Sequence, residues 1–389
     1  MTKFKLLILL LLTISLLLLI IIIYPTSNTS KPAAIQKTKS FDAKVLGLLD
    51  KDYEMIEVIF SDDVDPTTTI QNALNKAKNS KKPIKVMVPS GKYKLTKSLH
   101  IYSNTWLHFS DNTVLTKAKN HHEIMLINGD FHDSYQKYNG NSNIIVDGGI
   151  WDAEGADPSV WTPSVFGFAH GENILIQNVV LKNISGGHAI DCAGNKNIII
   201  QDSKFLGFNI SNKNNYVEAI QIDGMISSKA FRRFGDVDST VTENILIQNN
   251  YFGNSHVKTM KPWGVGIGSH SALYNHPHSS IKIINNTFEG LSLAAIKAYN
   301  WSNVVIKGNK MINCYVGIQI EGNGVYYLET GNKASGELAV NNLNIDSNTF
   351  YNIEKSSILI TQSKDSLEKI SIKNNQYKNS ITKLTILNN

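Results

Sequence analysis

Carboxylates, histidines, a lysine and aromatic residues recur at matching places in five short apolar segments, residues 187–192, 217–223, 263–270, 295–299 and 316–321. In each segment one parity is apolar: Ile190 and Cys192, Ile220 and Ile222, Val265 and Ile267, Ile296 and Ala298, Ile318 and Ile320. On a strand that alternation sends the apolar residues to one face and their neighbours to the other. The opposite face carries Asp191, Gln221, Asp223, His270, Lys297, Tyr299, Gln319 and Glu321. His188, Glu218 and Trp263 share the apolar parity but open their segments. They are expected at a corner where the parity breaks, because an unpaired Glu218 in a core would cost several kcal/mol.

Carboxylates in unlike environments hold different pKa values, which is what acid–base chemistry on a glycosidic bond needs. Glu218 is the leading acid or base, with Asp191 or Asp223 as its partner. Inverting hydrolysis wants the two carboxyls about 6.5–9.5 Å apart. Two rungs of a strand ladder, at about 4.8 Å each, give that span. His188 and His270 are placed to tune protonation or bind hydroxyls. Gln221 and Lys297 offer hydrogen bonds and a positive charge, and Trp263 and Tyr299 offer faces for a sugar to stack on. Each residue alone reads equally well as solvated surface or packing. The conjunction on neighbouring segments is what points to a groove. A loop pair, His276 and His278 around Pro277, is a weak metal signal, and neither a metal nor another cofactor is expected.

The elements that must position these side chains are set by a repeat. An Asn followed by an apolar alternation recurs, as in Asn143-Ile144-Ile145-Val146, Asn173-Ile174-Leu175-Ile176, Asn197-Ile198-Ile199-Ile200 and Asn244-Ile245-Leu246-Ile247. Related runs follow at 281–284, 303–306, 343–346 and 370–373. Many are trailed by a large apolar residue: Phe205, Phe252, Phe288, Met311, Phe350, Tyr377. Leu181 and Phe205 are 24 positions apart, Phe288 and Met311 23. A β-branched repeat of that length predicts a solenoid with one strand-built coil per repeat. The recurring Asn suits coil corners, since it tolerates left-handed geometry and bonds along a ladder of its neighbours. Longer spacings come from polar insertions at 209–217, 226–242, 255–262 and 271–280, of the kind that wall a binding cleft.

Pro66 follows Asp65 at the start of a helical pattern with Ile70, Ala73, Leu74 and Ala77 on one face. It reads as a plug on the open end of the solenoid. Upstream, Lys3 and Lys5 precede an apolar run at 6–24 broken only by Thr13 and Ser15. That run is long enough to cross a bilayer. The expected organisation is a signal-anchor or signal peptide at 1–24, a linker at 25–40 and an exported β-helix at 41–389, of which 41–115 form the cap and first coils. No small-x-small cleavage site follows Tyr24, which favours a retained membrane anchor and a cell-surface location over secretion.

Of the 389 residues 18% are charged and 42% hydrophobic, so the chain folds rather than staying disordered. The net charge of +6 is spread out. It suits a solvated surface or an anionic polysaccharide; no nucleic-acid motif is present, and a nucleic-acid partner is not expected. Cys192 and Cys314 are too few for a disulfide framework and read as buried thiols.

At these residues the chain resembles the right-handed, single-stranded parallel β-helix enzymes of the pectate-lyase superfamily, and within it the polygalacturonase-like glycoside hydrolases of family 28. The opening Ile70-Gln71-Asn72-Ala73-Leu74, then Val88-Pro89-Ser90-Gly91, and the coil Asp147-Gly148-Gly149-Ile150-Trp151 are similar to that group. The resemblance lays the family's Asn-Thr-Asp coil on Gly186-Gly187-His188 and its Asp-Asp coil on Val217-Glu218. Its Gly-His-Gly coil falls on Pro262-Trp263-Gly264 and its Arg-Ile-Lys coil on Ala295-Ile296-Lys297. Only Glu218 and the uronate-contacting Lys297 are kept. The resemblance implies an all-β solenoid and a polysaccharide-cleaving glycosidase. A lyase or epimerase on a uronic-acid polymer and a non-catalytic glycan-binding solenoid are the alternatives.

Overall fold

The computed structural model describes residues 46–387 except 210–216, 228–230, 232–233, 330, 339 and 362–369. The apolar run at 6–24 lies outside them. Among the described residues no helix is long and apolar enough to cross a membrane. They lie in one compact unit, Phe41–Asn389.

Successive coils stack into three parallel ladders. The first runs through Glu54–Glu57, Ile84–Val88, Thr105–Phe109, Ile144–Asp147 and Glu172–Gln177, and on to Ile370–Lys373. From Ile144–Asp147 onward its members are the repeats read from the sequence, paired in register: Ile174 with Ile144 and Ile198, Ile176 with Val146 and Ile200. The second ladder carries the trailing apolar residues, with Leu181, Phe205, Phe252, Phe288, Met311, Phe350 and Tyr377 in register. The rings of Phe205, Phe252 and Phe288 stack at 4.7 Å centroid spacing. The third ladder holds the five chemistry-bearing segments: Val180–Ala193, which also serves the second ladder, then Glu218–Asp223, Val265–Gly268, Ala294–Tyr299 and Val316–Glu321. The expected parallel β-helix is the observed fold. Isoleucine, valine and phenylalanine from all three ladders fill one continuous core. Cys192 and Cys314 are free and buried.

Two kinds of Asn hold the corners. Asn143, Asn173, Asn197 and Asn244 adopt positive φ near 55° and bond amide to amide, from Asn173 to Asn143, Asn197 to Asn173 and Asn244 to Asn197. Between the first and second ladders runs a file of Asn250, Asn286, Asn309 and Asn348, all buried, ending in the half-buried Asn375. Each Oδ1 accepts the backbone and side-chain N–H of the preceding member, and each Nδ2 also reaches a carbonyl of the coil before.

Helix α1, Pro66–Lys78, is capped by Asp65, whose carboxylate accepts the Thr68 N–H. Its face of Ile70, Ala73, Leu74 and Ala77 lies in the main core, packed on the strands Ile84–Val88, Lys92–Leu95 and Leu99–His100.

Candidate functional site

The third ladder turns its apolar parity inward and its polar parity out, with one break. Ala189 and Ile190, and likewise Ala219 and Ile220, both lie in the core. The residues before them, His188 and Glu218, therefore come out on the same side as Asp191, Gln221 and Asp223. Ile190 pairs with Ile220, which sets His188 beside Glu218. Asp191, Gln221, Gly268, Lys297 and Gln319 follow one another across five rungs.

Glu218 is the centre of the arrangement. Its carboxylate is 2% exposed and lies 3.2 Å from His270 Nδ1 and 3.9 Å from His188 Nδ1. The Val217 N–H also donates to it, at 3.1 Å. His188 Nδ1 is 2.8 Å from the Glu218 carbonyl, and the two imidazoles lie 5.7 Å apart, nearly parallel. Gly268 makes the room: a Cβ there would stand 3.2 Å from Glu218 Cγ and 3.3 Å from Lys297 Cβ. Burial works to raise the Glu218 pKa. The His270 hydrogen bond and the charges of both histidines outweigh it and hold the group down to about 2. His270 moves the other way: burial lowers it, but the Glu218 hydrogen bond and the charges of Glu218, Asp223 and Asp191 raise it. Burial pushes His188 down, against the pull of Glu218. His270, with 28% of its side chain exposed, is the member that reaches solvent.

Asp223 Oδ1 accepts the Gly224 N–H at 2.7 Å and is bonded by the Ser271 hydroxyl. Gln221 is fully buried, and neither end of its amide has a hydrogen-bond partner among the described residues. Lys297 pairs with Glu321 at 2.8 Å. Insertions that follow the third-ladder strands pack beside this recessed face. Met225, Phe231 and Phe234 pack over Ala169 and Ala193. The hairpin Asn323–Tyr327 with Lys333–Glu337 docks on residues 272–274.

Two expected sugar platforms are corrected. Trp263 is fully buried and belongs to the core, stacked on Phe208 at 4.5 Å. Backbone bonds between Phe208 and Lys261 turn the chain inward there. Tyr299 does point outward, but the hairpin covers it: it packs with Ala272 and Leu338, and its hydroxyl donates to the Val325 carbonyl at 2.7 Å. The aromatic faces that reach solvent are others. Trp161, 40% exposed, leads into strand Thr162–Ala169, whose Ser164 pairs with His188. Tyr274 is 42% exposed and stacks on Tyr326 at 4.9 Å. The signal for Trp161 was the pair Gly186-Gly187: Gly186 has φ +103°, and any side chain there would overlap the Trp161 indole. His276 and His278 do not converge. His276 bonds Glu329, while buried His278 accepts the Thr242 N–H.

No family profile matches the chain. Over 313 residues it is 28% identical to the plasmin and fibronectin-binding protein A of Streptococcus pneumoniae, which covers 75% of this chain but only 42% of that protein. The chain thus spans less than half the length of that curated relative. The crystal structure of PfbA, described as a surface adhesin of the same species, superposes with TM-score 0.61 at 22% identity, over 86% of this chain and 93% of that one. The family 28 exopolygalacturonase of Yersinia enterocolitica superposes with TM-score 0.56 at 12% identity, over 86% and 77%. The catalytic unit of a family 87 α-1,3-glucanase from Streptomyces thermodiastaticus gives 0.57 at 14%, over 87% and 55%. With its three parallel ladders in register, the chain has the pectate-lyase-like parallel β-helix fold that these adhesin and glycosidase structures share.

Proposed function

We propose that the chain is a surface or exported carbohydrate-active β-helix that binds a polysaccharide across the third ladder and hydrolyses it beside Glu218. The observation that carries this is the buried Glu218 carboxylate held between His188 and His270. A solenoid needs no such group for its core, and burying it is costly. Glu218 orients His270, the exposed ring of the set, as the group that exchanges a proton with the glycosidic oxygen. Asp191 and Asp223 flank it on the same face as candidates for activating water. Trp161 and Tyr274 are the sugar platforms, and Lys297 meets an anionic or hydroxyl group. The glycosidases among the structural neighbours use the same scaffold for this class of chemistry.

A second reading has its own support. The relative with the long sequence match is named for binding plasmin and fibronectin, and Glu218 is closed off from solvent. In that reading the groove recognises glycans, free or on a host glycoprotein, without cleaving them.

The test is the purified protein against a panel of neutral and uronic-acid polysaccharides, following reducing ends and ultraviolet absorbance, with Glu218→Gln alongside. New reducing ends without absorbance, reduced at least about 100-fold by the substitution, are expected. Absorbing products would replace the hydrolase with a lyase. Silence across the panel with retained glycan, plasmin or fibronectin binding would leave the binding protein.

A further inference from the structure

We infer that His188, Glu218 and His270 form a binding site for a divalent transition cation of the zinc class. The inference goes beyond the glycan reading and needs no turnover.

A ring nitrogen of each histidine and a carboxylate oxygen of Glu218 all lie within 4.8 Å of one another. One edge is already close to bonding geometry, 3.2 Å from Glu218 Oε2 to His270 Nδ1. In a tetrahedral zinc site with bonds of 2.0–2.1 Å the ligands stand about 3.3 Å apart. Edges of at most 4.8 Å exceed that spacing by no more than about 1.5 Å, a gap that side-chain rotation can span. Two imidazoles and one carboxylate select zinc, cobalt or iron(II) over calcium and magnesium, which prefer all-oxygen sites. Three protein ligands leave a fourth position, and His270 is the side that opens to solvent.

Two further features suit a cation. With Nδ1–H donating to the Glu218 carbonyl at 2.8 Å, His188 has its ring orientation set by the backbone and its lone pair on Nε2. Asp191 and Asp223 both act on His270 electrostatically, adding negative charge around the triangle. Lys297, the lysine on the neighbouring rung, is already paired with Glu321. A cation and a proton compete for the same histidine nitrogens, so a loaded site and a proton-transferring site are alternative states.

The test is titration of the EDTA-treated, full-length protein with Co²⁺, read by its visible d–d absorption, and with Zn²⁺ by calorimetry. One equivalent binding with a dissociation constant on the order of micromolar or tighter is expected. His188→Ala and His270→Gln each weaken it by at least about 100-fold, whereas His276→Ala, at a ring paired with Glu329, leaves it unchanged. No cobalt band, or a band indifferent to both substitutions, overturns the inference. Should His188→Ala fail to fold, His270→Gln, at the partly exposed member, carries the test. Cobalt binding by a protein that cleaves no polysaccharide would sink the hydrolase and spare the metal site; cleavage unaffected by EDTA, with no cobalt bound, would do the reverse.

Discussion

The buried Asn corner and the outer face of the third ladder stack polar side chains at the same rung spacing, with opposite results. At the corner every rung carries the same residue. An amide both donates and accepts, so Asn250, Asn286, Asn309, Asn348 and Asn375 satisfy one another and the carbonyls beside them. On the third ladder successive rungs carry Asp191, Gln221, glycine and Lys297. Unlike neighbours cannot form a repeating bond pattern. His188, Glu218 and His270, from three successive coils, form a tight cluster, while Gln221, on Glu218's own strand, is left with a buried unpartnered amide. Identity between rungs makes structure; difference between rungs leaves bonding capacity for a ligand.

The largest effect should come from breaking the uniform file. In Asn286→Leu the Asn250 N–H and the Ile247 carbonyl lose their partners inside the protein. Each buried orphan costs about 1–3 kcal/mol, so a loss of about 4 kcal/mol in urea denaturation is expected. A loss below about 1 kcal/mol would mean that the file is ornament and that core packing alone fixes the corner.

Much of this comparison was legible in the sequence. The Asn-led repeats fixed the first ladder, the trailing aromatics the second, and the parity of Ile190, Ile220 and Ile267 the inward face of the third. The charge of Glu218 was enough to place a corner before Ala219, because burying it unpaired is too costly. Trp263 failed because the same parity argument was stretched to a residue ahead of its strand, where a contact with Phe208, far away in sequence, decides the direction. Tyr299 failed because its cover is a hairpin at 323–337 with no local signal. The closeness of His270 to Glu218, 52 positions apart, follows from coil lengths that insertions make irregular. Trp161 lay outside the five segments, and only the Gly186-Gly187 pair hinted at it.

The corner between the third and first ladders is the intermediate case, and pH can probe it. There His278 accepts the Thr242 N–H, and the Thr242 hydroxyl donates to the Asp223 carbonyl. Burial depresses the His278 pKa from 6.5 to about 4. The folded state keeps it neutral while the unfolded chain takes up a proton below pH 6.5. Its contribution is thus complete above about 6.5 and lost as pH falls toward 4, worth up to about 3 kcal/mol. Buried His121, also depressed to about 4, shifts in the same window. Denaturation at pH 7 and pH 4.5 should show His278→Asn, which keeps an acceptor for Thr242, losing less stability than the parent. Equal losses would remove His278 from the account.

The smallest effect on stability, and the sharpest on the comparison, is expected at Gln221. If its amide is held for a ligand, the unbound protein gains nothing from it, and Gln221→Leu removes two unsatisfied polar atoms at nearly constant volume. Stability should stay level or rise by about 1 kcal/mol, while affinity for the polysaccharide falls at least tenfold, as an equilibrium titration with a bound oligosaccharide would read. A destabilisation above about 2 kcal/mol would show the amide already satisfied in the folded chain. Gln221 would then belong with the Asn file as structure, and the contrast between the two stacks would reduce to the Glu218 cluster alone.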